Sequence, residues 1–334
     1  MIKSETLKQY SYTGKLAPLI TQYVNEKRGM GIKFEADAKI LRNFDKFSKE
    51  FTFPDESLPK ELVLAYTAMR PGEMESSRDH RAGVVRRFAE YMRRCNYDAY
   101  IFPKQKRRKR NSAFAPYIFS EDEIKRIFHA ADSIEENHHN KHICLLAPLL
   151  FRMFYSCGMR ASEVINLTVS DVDLENGVLR INETKFNKSR YVPMSESLWR
   201  MSISFAKRTH QSSHGESPFF PNFKNEFFSL GGIYDWFRKV LWKAGISHGG
   251  KGKGPRLHDF RHTMAVHCLK KWSLSGVDLT VSLPYLSAYL GHTGLLATQK
   301  YLRLTADVFP HIIKSLNDKF GDIIPEMGGE FDGD

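Results

Sequence analysis

Residues 177–194 read GVLRINETKFNKSRYVPM, and their period decides the fold class. GVLRINET and SRYVPM alternate and are rich in Val, Ile and Tyr, the pattern of two half-buried strands, with Lys185-Phe-Asn-Lys188 between them as the turn. On both sides the period returns to that of helices. Upstream, Ser120-Glu-Asp-Glu123 has the S-x-x-E capping pattern and opens a helix to about residue 131. Residues 142–157 form a mostly apolar helix ended by Gly158, and another starts at 161–167. Downstream, helices are expected at about 195–210, 230–244, 258–271, 283–290, 295–303 and 306–318. A β-hairpin inside a helical domain makes the class mainly α with a small β element, α+β.

Further out, residues before 102 carry helical spacing in four stretches, about 15–28, 35–50, 58–69 and 75–95, the pattern of a small helical bundle. Between the two bodies lies Pro103-Lys-Gln-Lys-Arg-Arg-Lys-Arg-Asn-Ser112, too self-repelling to enter a core. The expected organisation is a helical domain at 1–102, a basic linker at 103–116, a larger domain at 117–310 and a helix with an acidic tail at 311–334. A length of 334 residues with 42% hydrophobic content suits two folded domains. The longest apolar run, Ile143 to Phe151, contains Pro148 and falls well short of the roughly 20 residues a bilayer requires, so no membrane partner is expected. Cys95, Cys144, Cys157 and Cys268 form no C-x-x-C pair, and the N-terminus lacks a secretion signal's layout; a cytoplasmic setting follows.

The net charge of +12 is unevenly spread. Residues 1–110 hold 24 Lys and Arg against 14 Asp and Glu, residues 111–310 are at +6, and 311–334 carry two lysines and six acids. Two basic bodies point to a polyanion. On the fourth helix Arg78, Arg81, Arg86, Arg87, Arg93 and Arg94 lie on several faces, a pattern suited to a DNA backbone or to a solvated surface.

Glycine and histidine clusters do not make ligand sites here. Gly245 to Lys251 satisfies G-x-x-x-x-G-K, but Gly252 follows and the helical WFRKVLWKA precedes, so a nucleotide loop is not expected. His138, His139 and His142 lack carboxylates at ligand spacing, and Arg261 stands among His258, His262 and His267 where a cation would be repelled. No metal or other cofactor is expected.

Four separated pieces carry groups that can handle a phosphodiester: Gly158-Met-Arg-Ala-Ser-Glu-Val164, Thr184-Lys-Phe-Asn-Lys-Ser-Arg-Tyr-Val-Pro193, Leu257-His-Asp-Phe-Arg-His262, and Leu290-Gly-His292 with Tyr301 nine residues on. In this order they resemble the tyrosine recombinases, or phage-type integrases. The resemblance covers 117–310, and the N-terminal domain is similar to that family's core-binding domain, which together imply a C-shaped DNA clamp. It implies that Arg160 is the first catalytic arginine, Glu163 its supporting acid, Lys185 the hairpin lysine, His258 and Arg261 the H-x-x-R pair, His292 the second histidine and Tyr301 the nucleophile.

The chemistry fits these residue types. Two guanidiniums, Arg160 and Arg261, can clamp the non-bridging oxygens of a phosphate under attack. Tyr301 must lose its proton, and His258 is a candidate acceptor. Lys185 on its hairpin is the candidate donor to the leaving 5′ oxygen, with Lys188 as a phosphate contact. The remaining expected DNA contacts are Arg86, Arg87, Arg93, Arg94, Lys104, Lys106, Arg107, Arg108, Lys109, Arg110 and Arg190. The resemblance further implies a 3′-phosphotyrosyl intermediate, duplex DNA with specific recombination sites as partner, a homotetramer with its C-terminal segment packed in trans, a Holliday junction, an accessory directionality factor and association with the nucleoid.

The segment VDLTVSLPYLSAY before Leu290 is longer than the commonest family spacing and holds Tyr285 and Tyr289, neither at the nine-residue offset; both are expected to be packing residues. The short stretch before residue 14 leaves no room for an arm-binding domain, so simple-site binding is expected. A type IB topoisomerase and a non-catalytic DNA-binding regulator on the same scaffold are the alternative readings.

Overall fold

A computed structural model of the chain describes residues 9–104, 116–136, 142–182, 189–250, 254–292 and 294–308. Lys185, Lys188, the run Lys106 to Arg110 and the segment from 309 onward lie outside these residues. The chain divides into two compact units, Met1–Ala113 and Phe114–Asp334. No described helix is long and apolar enough to cross a membrane.

The first unit packs α1 (Ala17–Gly29), α2 (Glu35–Ser48), α3 (Lys60–Thr67) and α4 (Glu75–Arg94) around a shared core. α4 supplies its spine because Val84, Val85, Phe88, Ala89 and Met92 recur at helical spacing and are all buried. Tyr23 of α1 meets Phe88 and Tyr91 at 5.6 and 4.9 Å between ring centroids. Buried Asp45 of α2 accepts the Thr13 and Gly14 amides at 2.7 and 3.0 Å, tying the chain before α1 to the bundle.

The second unit contains α5 (Glu121–Asp132), α6 (Ile143–Ser156), α7 (Ala161–Ile165), a three-stranded antiparallel sheet β1 (Val172–Asp173), β2 (Val178–Ile181) and β3 (Arg190–Pro193), and then α8 (Glu196–Thr209), α9 (Leu230–Lys243), α10 (Leu257–Leu274), α11 (Leu279–Leu290) and α12 (Leu295–Val308). The Ser120–Glu123 capping box is formed, Ser120 Oγ accepting the Glu123 amide at 3.1 Å and Glu123 returning the interaction at 2.8 Å. β2 and β3 pair in the register Leu179 to Val192, both buried, so the expected hairpin is present. β1 adds a strand of two residues, too short for its alternation to be visible in the sequence.

Two helical expectations change. α11 begins at Leu279, ahead of the expected 283, because Asp278 caps it by accepting the Thr280 amide at 2.8 Å; Pro284 lies inside the helix and forgoes one hydrogen bond. Residues 295–308 form one helix, where two short ones were expected with a break near 304.

The core of this unit fixes how α10 is rotated. Phe260, fully buried, lies within 5.2–6.3 Å of the rings of Phe119, Phe151, Phe154 and Phe237. Burying such a side chain contributes about 2 kcal/mol or more. With Phe260 pinned inward, His258, Arg261 and His262, spaced i, i+3 and i+4, share another face.

Candidate active site

The site is assembled from five places in the second unit: the turn before α7, strand β3, the first turns of α10, the turn after α11, and α12. Gly158 ends the α6 segment with φ of +55°, and a Cβ there would meet Met264 Cε at 2.6 Å and Leu290 Cδ2 at 2.9 Å. Glycine is therefore needed both for its conformation and for close packing. The Gly158 carbonyl accepts Arg261 Nη1 at 2.9 Å, and the Leu290 carbonyl accepts Nη2 at 2.7 Å. Arg261 is 2% exposed, and among the described residues no carboxylate lies in ion-pair range of it. Burial lowers its pKa to about 10, still leaving it charged at neutral pH. An arginine held this way, oriented by carbonyls yet lacking a counter-ion, suits an anion arriving from outside.

Arg160 lies at the start of α7 and reaches Glu163 Oε1 through Nη1 at 2.7 Å and the Gly291 carbonyl through Nη2 at 3.3 Å. Glu163 also accepts the Arg160 amide at 2.9 Å and a two-pronged contact from Arg190, at 3.1 and 2.8 Å. Burial would raise the Glu163 pKa, but the Arg190 hydrogen bonds and charge, with Arg160, overcome it and bring it to about 2. One carboxylate is thus shared by two arginines. Arg190 also donates through Nε to the Tyr289 carbonyl at 3.0 Å.

This revises the expectation for Arg190, which the sequence placed among the DNA contacts. Its side chain is 10% exposed and its fork is spent on Glu163, because β3 runs past α11 and the pleat turns position 190 inward. Gly291 completes the arrangement: with φ of +67° it ends α11, and a Cβ would stand 2.8 Å from Arg190 Nη1. The glycine of Leu-Gly-His is required because a guanidinium occupies the space.

The three imidazoles are neutral at physiological pH. His258 is shifted below the usual value by burial and then by Arg261; the same causes bring His292 to about 4, and burial with neighbouring His258 brings His262 to about 3. His292 is oriented by Thr298 Oγ1, 2.7 Å from Nδ1. Tyr301 is 3% exposed; burial raises its pKa and Arg261 opposes the rise. Its ring stacks on His292 at 5.9 Å and 16°, and its hydroxyl is 3.1 Å from Nδ1 of His262. The sequence proposed His258 as the tyrosine's partner, yet the imidazole in hydrogen-bond range of the hydroxyl is that of His262, with Arg261 also placed to donate to it. The signal was available, since His262 follows Arg261 directly and lies one turn from His258.

The structure thus brings Arg160, Glu163, His258, Arg261, His292 and Tyr301 together. Lys185 and Lys188 lie outside the described residues. Tyr285 is 72% exposed, and the Tyr289 hydroxyl, its pKa raised by burial, donates to the Pro193 carbonyl at 3.3 Å. Among the described residues, no group of three or more His, Cys, Asp or Glu could hold a metal ion; His138 and His139 are not among them.

The expected DNA contacts of the first unit are mostly tied within it. Arg86 pairs with Glu90 at 2.7 Å, Arg87 with Asp37 at 2.8 Å and Arg94 with Glu26 at 2.8 Å, while Arg93 donates to the Ala99 carbonyl at 3.0 Å. Arg87, Arg93, Arg94 and Lys104 remain solvent-exposed, whereas Arg81, 5% exposed, is committed to Glu73 at 2.6 Å. Lys106, Arg107, Arg108, Lys109 and Arg110 lie outside the described residues.

A family model described as "Phage integrase family" matches residues 118–307. The chain is 31% identical over 311 residues to "Putative integrase/recombinase y4rB" of Sinorhizobium fredii, covering 91% of this chain and 97% of that protein. It is 28% identical to tyrosine recombinase XerA of Pyrococcus horikoshii over 57% of this chain and 58% of that one. Among solved structures, the XerH site-specific recombinase bound to palindromic difH substrate has a TM-score of 0.58 at 18% identity, over 88% of this chain and 83% of that chain. A lambda integrase dimer bound to a COC′ core site has a TM-score of 0.53 at 16% identity, over 95% and 97%; both show that the fold is shared. With the family model covering the unit that carries the site, and a relative matching nearly end to end, the chain belongs to the phage integrase family, the tyrosine recombinases.

Proposed function

We propose that this protein is a site-specific DNA recombinase that cleaves and rejoins duplex DNA through Tyr301. The observation that carries the reading is Arg261: a buried guanidinium with no acidic partner among the described residues, close enough to a buried tyrosine to pull its pKa down against the effect of burial. A scissile phosphate bound by Arg261 and Arg160 would supply the missing negative charge, and both forks would strengthen their hold as charge grows on its oxygens. Tyr301 gives up its proton to neutral His258 as its Oη attacks phosphorus, the bond to the 5′ oxygen breaks, and a 3′-phosphotyrosyl bond forms. Neutral His292 donates to the phosphate, Glu163 holds Arg160, and Lys185 protonates the leaving oxygen. A 5′-hydroxyl from another duplex then reverses the step.

Strand exchange of this kind needs several active sites, and a homotetramer passing through a Holliday junction is the assembly we infer. The two basic bodies are assigned to backbone contact, through exposed Arg87, Arg93 and Arg94, Lys104, and the run Lys106 to Arg110. An accessory directionality factor and a nucleoid location belong to the same reading.

The test is Tyr301→Phe on a nicked suicide duplex carrying the cognate site. The expected outcome is DNA binding close to wild type with no covalent protein–DNA adduct. Adduct persisting in the variant overturns the nucleophile assignment, and its absence in the wild-type protein favours a DNA-binding regulator.

A further inference from the structure

A buried phenol must place its O–H on a partner inside the protein. For Tyr301 that partner is His262, with Nδ1 3.1 Å from the hydroxyl and the two rings 5.6 Å apart at 51°. The other ionisable groups facing His262 are His258 and Arg261 on its own helix, Arg256 just before that helix, and His292 from the turn after α11. His258 stands perpendicular to it at 4.7 Å. Burial, His258 and two arginines keep the imidazole uncharged, with one ring nitrogen protonated and the other bearing a lone pair; in the Nε2–H tautomer it is Nδ1 that accepts from the phenol.

The consequence concerns direction. A tyrosine hydroxyl has one proton and two lone pairs. With the proton given to His262 and one lone pair taken by Arg261, whose hydrogen bond and charge oppose the rise in its pKa, the oxygen has one electron pair left for an incoming phosphorus. The ring itself is held by stacking on His292, and the start of the last turn of α12 is tied by Thr305 Oγ1 to the Tyr301 carbonyl at 2.7 Å. What remains free without His262 is rotation of the hydroxyl.

We propose that His262 is a positioning residue for the nucleophile: its Nδ1 holds the Tyr301 hydroxyl docked on α10, with its proton turned away from the incoming phosphorus. The proposal rests on the reading of Tyr301 as nucleophile. It assigns His262 no contact with DNA and no exchange of protons.

Two variants separate this from a structural or proton-accepting role. His262→Phe keeps a planar ring but loses the acceptor. His262→Asn places an amide oxygen near where Nδ1 stands and does not titrate. On the nicked suicide duplex, His262→Phe should cleave on the order of 10- to 100-fold more slowly with DNA affinity unchanged, as befits a reacting atom set loose. His262→Asn should recover most of that rate with the wild-type pH profile. Wild-type cleavage by His262→Phe would overturn the proposal. So would His262→Asn failing as badly as His262→Phe while still binding DNA, which would make His262 the proton acceptor. Should the Phe variant not fold, His262→Ala takes its place beside His262→Asn. Tyr301→Phe, run alongside, tells the two readings apart: adduct from that variant faults the nucleophile assignment, whereas loss of adduct there and full speed in His262→Phe faults His262 alone.

Discussion

Replacing Glu163 by glutamine tests how much the shared carboxylate contributes. Its two oxygens accept four hydrogen bonds, two from Arg190 and two from Arg160, and its side chain is 8% exposed. Glutamine keeps the shape but turns an amino group toward a guanidinium, leaving Arg190, 10% exposed, without its counter-ion. Removing one partner of a buried pair costs roughly 3–5 kcal/mol. A separate route gives a similar figure: a carboxyl held at about 2, against an ordinary 4.5, contributes about 3 kcal/mol at pH 7. The sign is that of a depressed acid, so the contribution is complete above about pH 4.5 and lost as pH falls through about 2, with roughly 1 kcal/mol left at pH 3. The assay is urea unfolding followed by tryptophan fluorescence. Trp199, Trp236, Trp242 and Trp272 all fall in the second unit, so the signal reports the unit that holds the bridge. Glu163→Gln should be about 3 kcal/mol less stable than wild type at pH 7 and about 1 kcal/mol less stable at pH 3, histidine contributions cancelling in the difference. A variant within about 0.5 kcal/mol at pH 7, or a deficit that does not shrink in acid, would refute the reasoning.

Two other perturbations follow from the same geometry and charge. Gly291→Ala forces an L side chain to φ of +67° and drives a methyl to within 2.8 Å of Arg190 Nη1; a loss of about 1–2 kcal/mol in urea and markedly slower cleavage on the suicide duplex are expected, and wild-type stability would show that Arg190 can give way freely. Neutralising Lys104, Lys106, Arg107, Arg108, Lys109 and Arg110 should flatten the salt dependence of DNA binding, the log–log slope falling by about 0.9 for each phosphate that is no longer neutralised; an unchanged slope would reduce the run to a tether.

Much of this was legible in the linear chain because it rests on short-range physics. The change from period two to helical period around 177–194 marked the sheet, the Ser120–Glu123 pair marked a helix start, and the His258–Arg261 spacing put two groups on one face. β1 escaped because two residues carry no period, and the start of α11 because Pro284 masked the cap at Asp278. The partnership of His262 with Tyr301 spans 39 positions, and that of Arg190 with Glu163 spans 27. Neither separation leaves a trace in local spacing.

The division follows from what a chain can encode locally. Residue order alone determined the α+β class, the uneven positive charge and the set of side chains able to grip a phosphate. Only the tertiary structure decided which of them share a partner. It turned Arg190 inward onto Glu163, left Arg261 buried beside carbonyls with no acid among the described residues, and set the tyrosine's hydroxyl against His262. The physical reason is that burial and counter-ion sharing are properties of a packed neighbourhood, and such a neighbourhood exists only once α7, β3, α10 and α12 have closed around it.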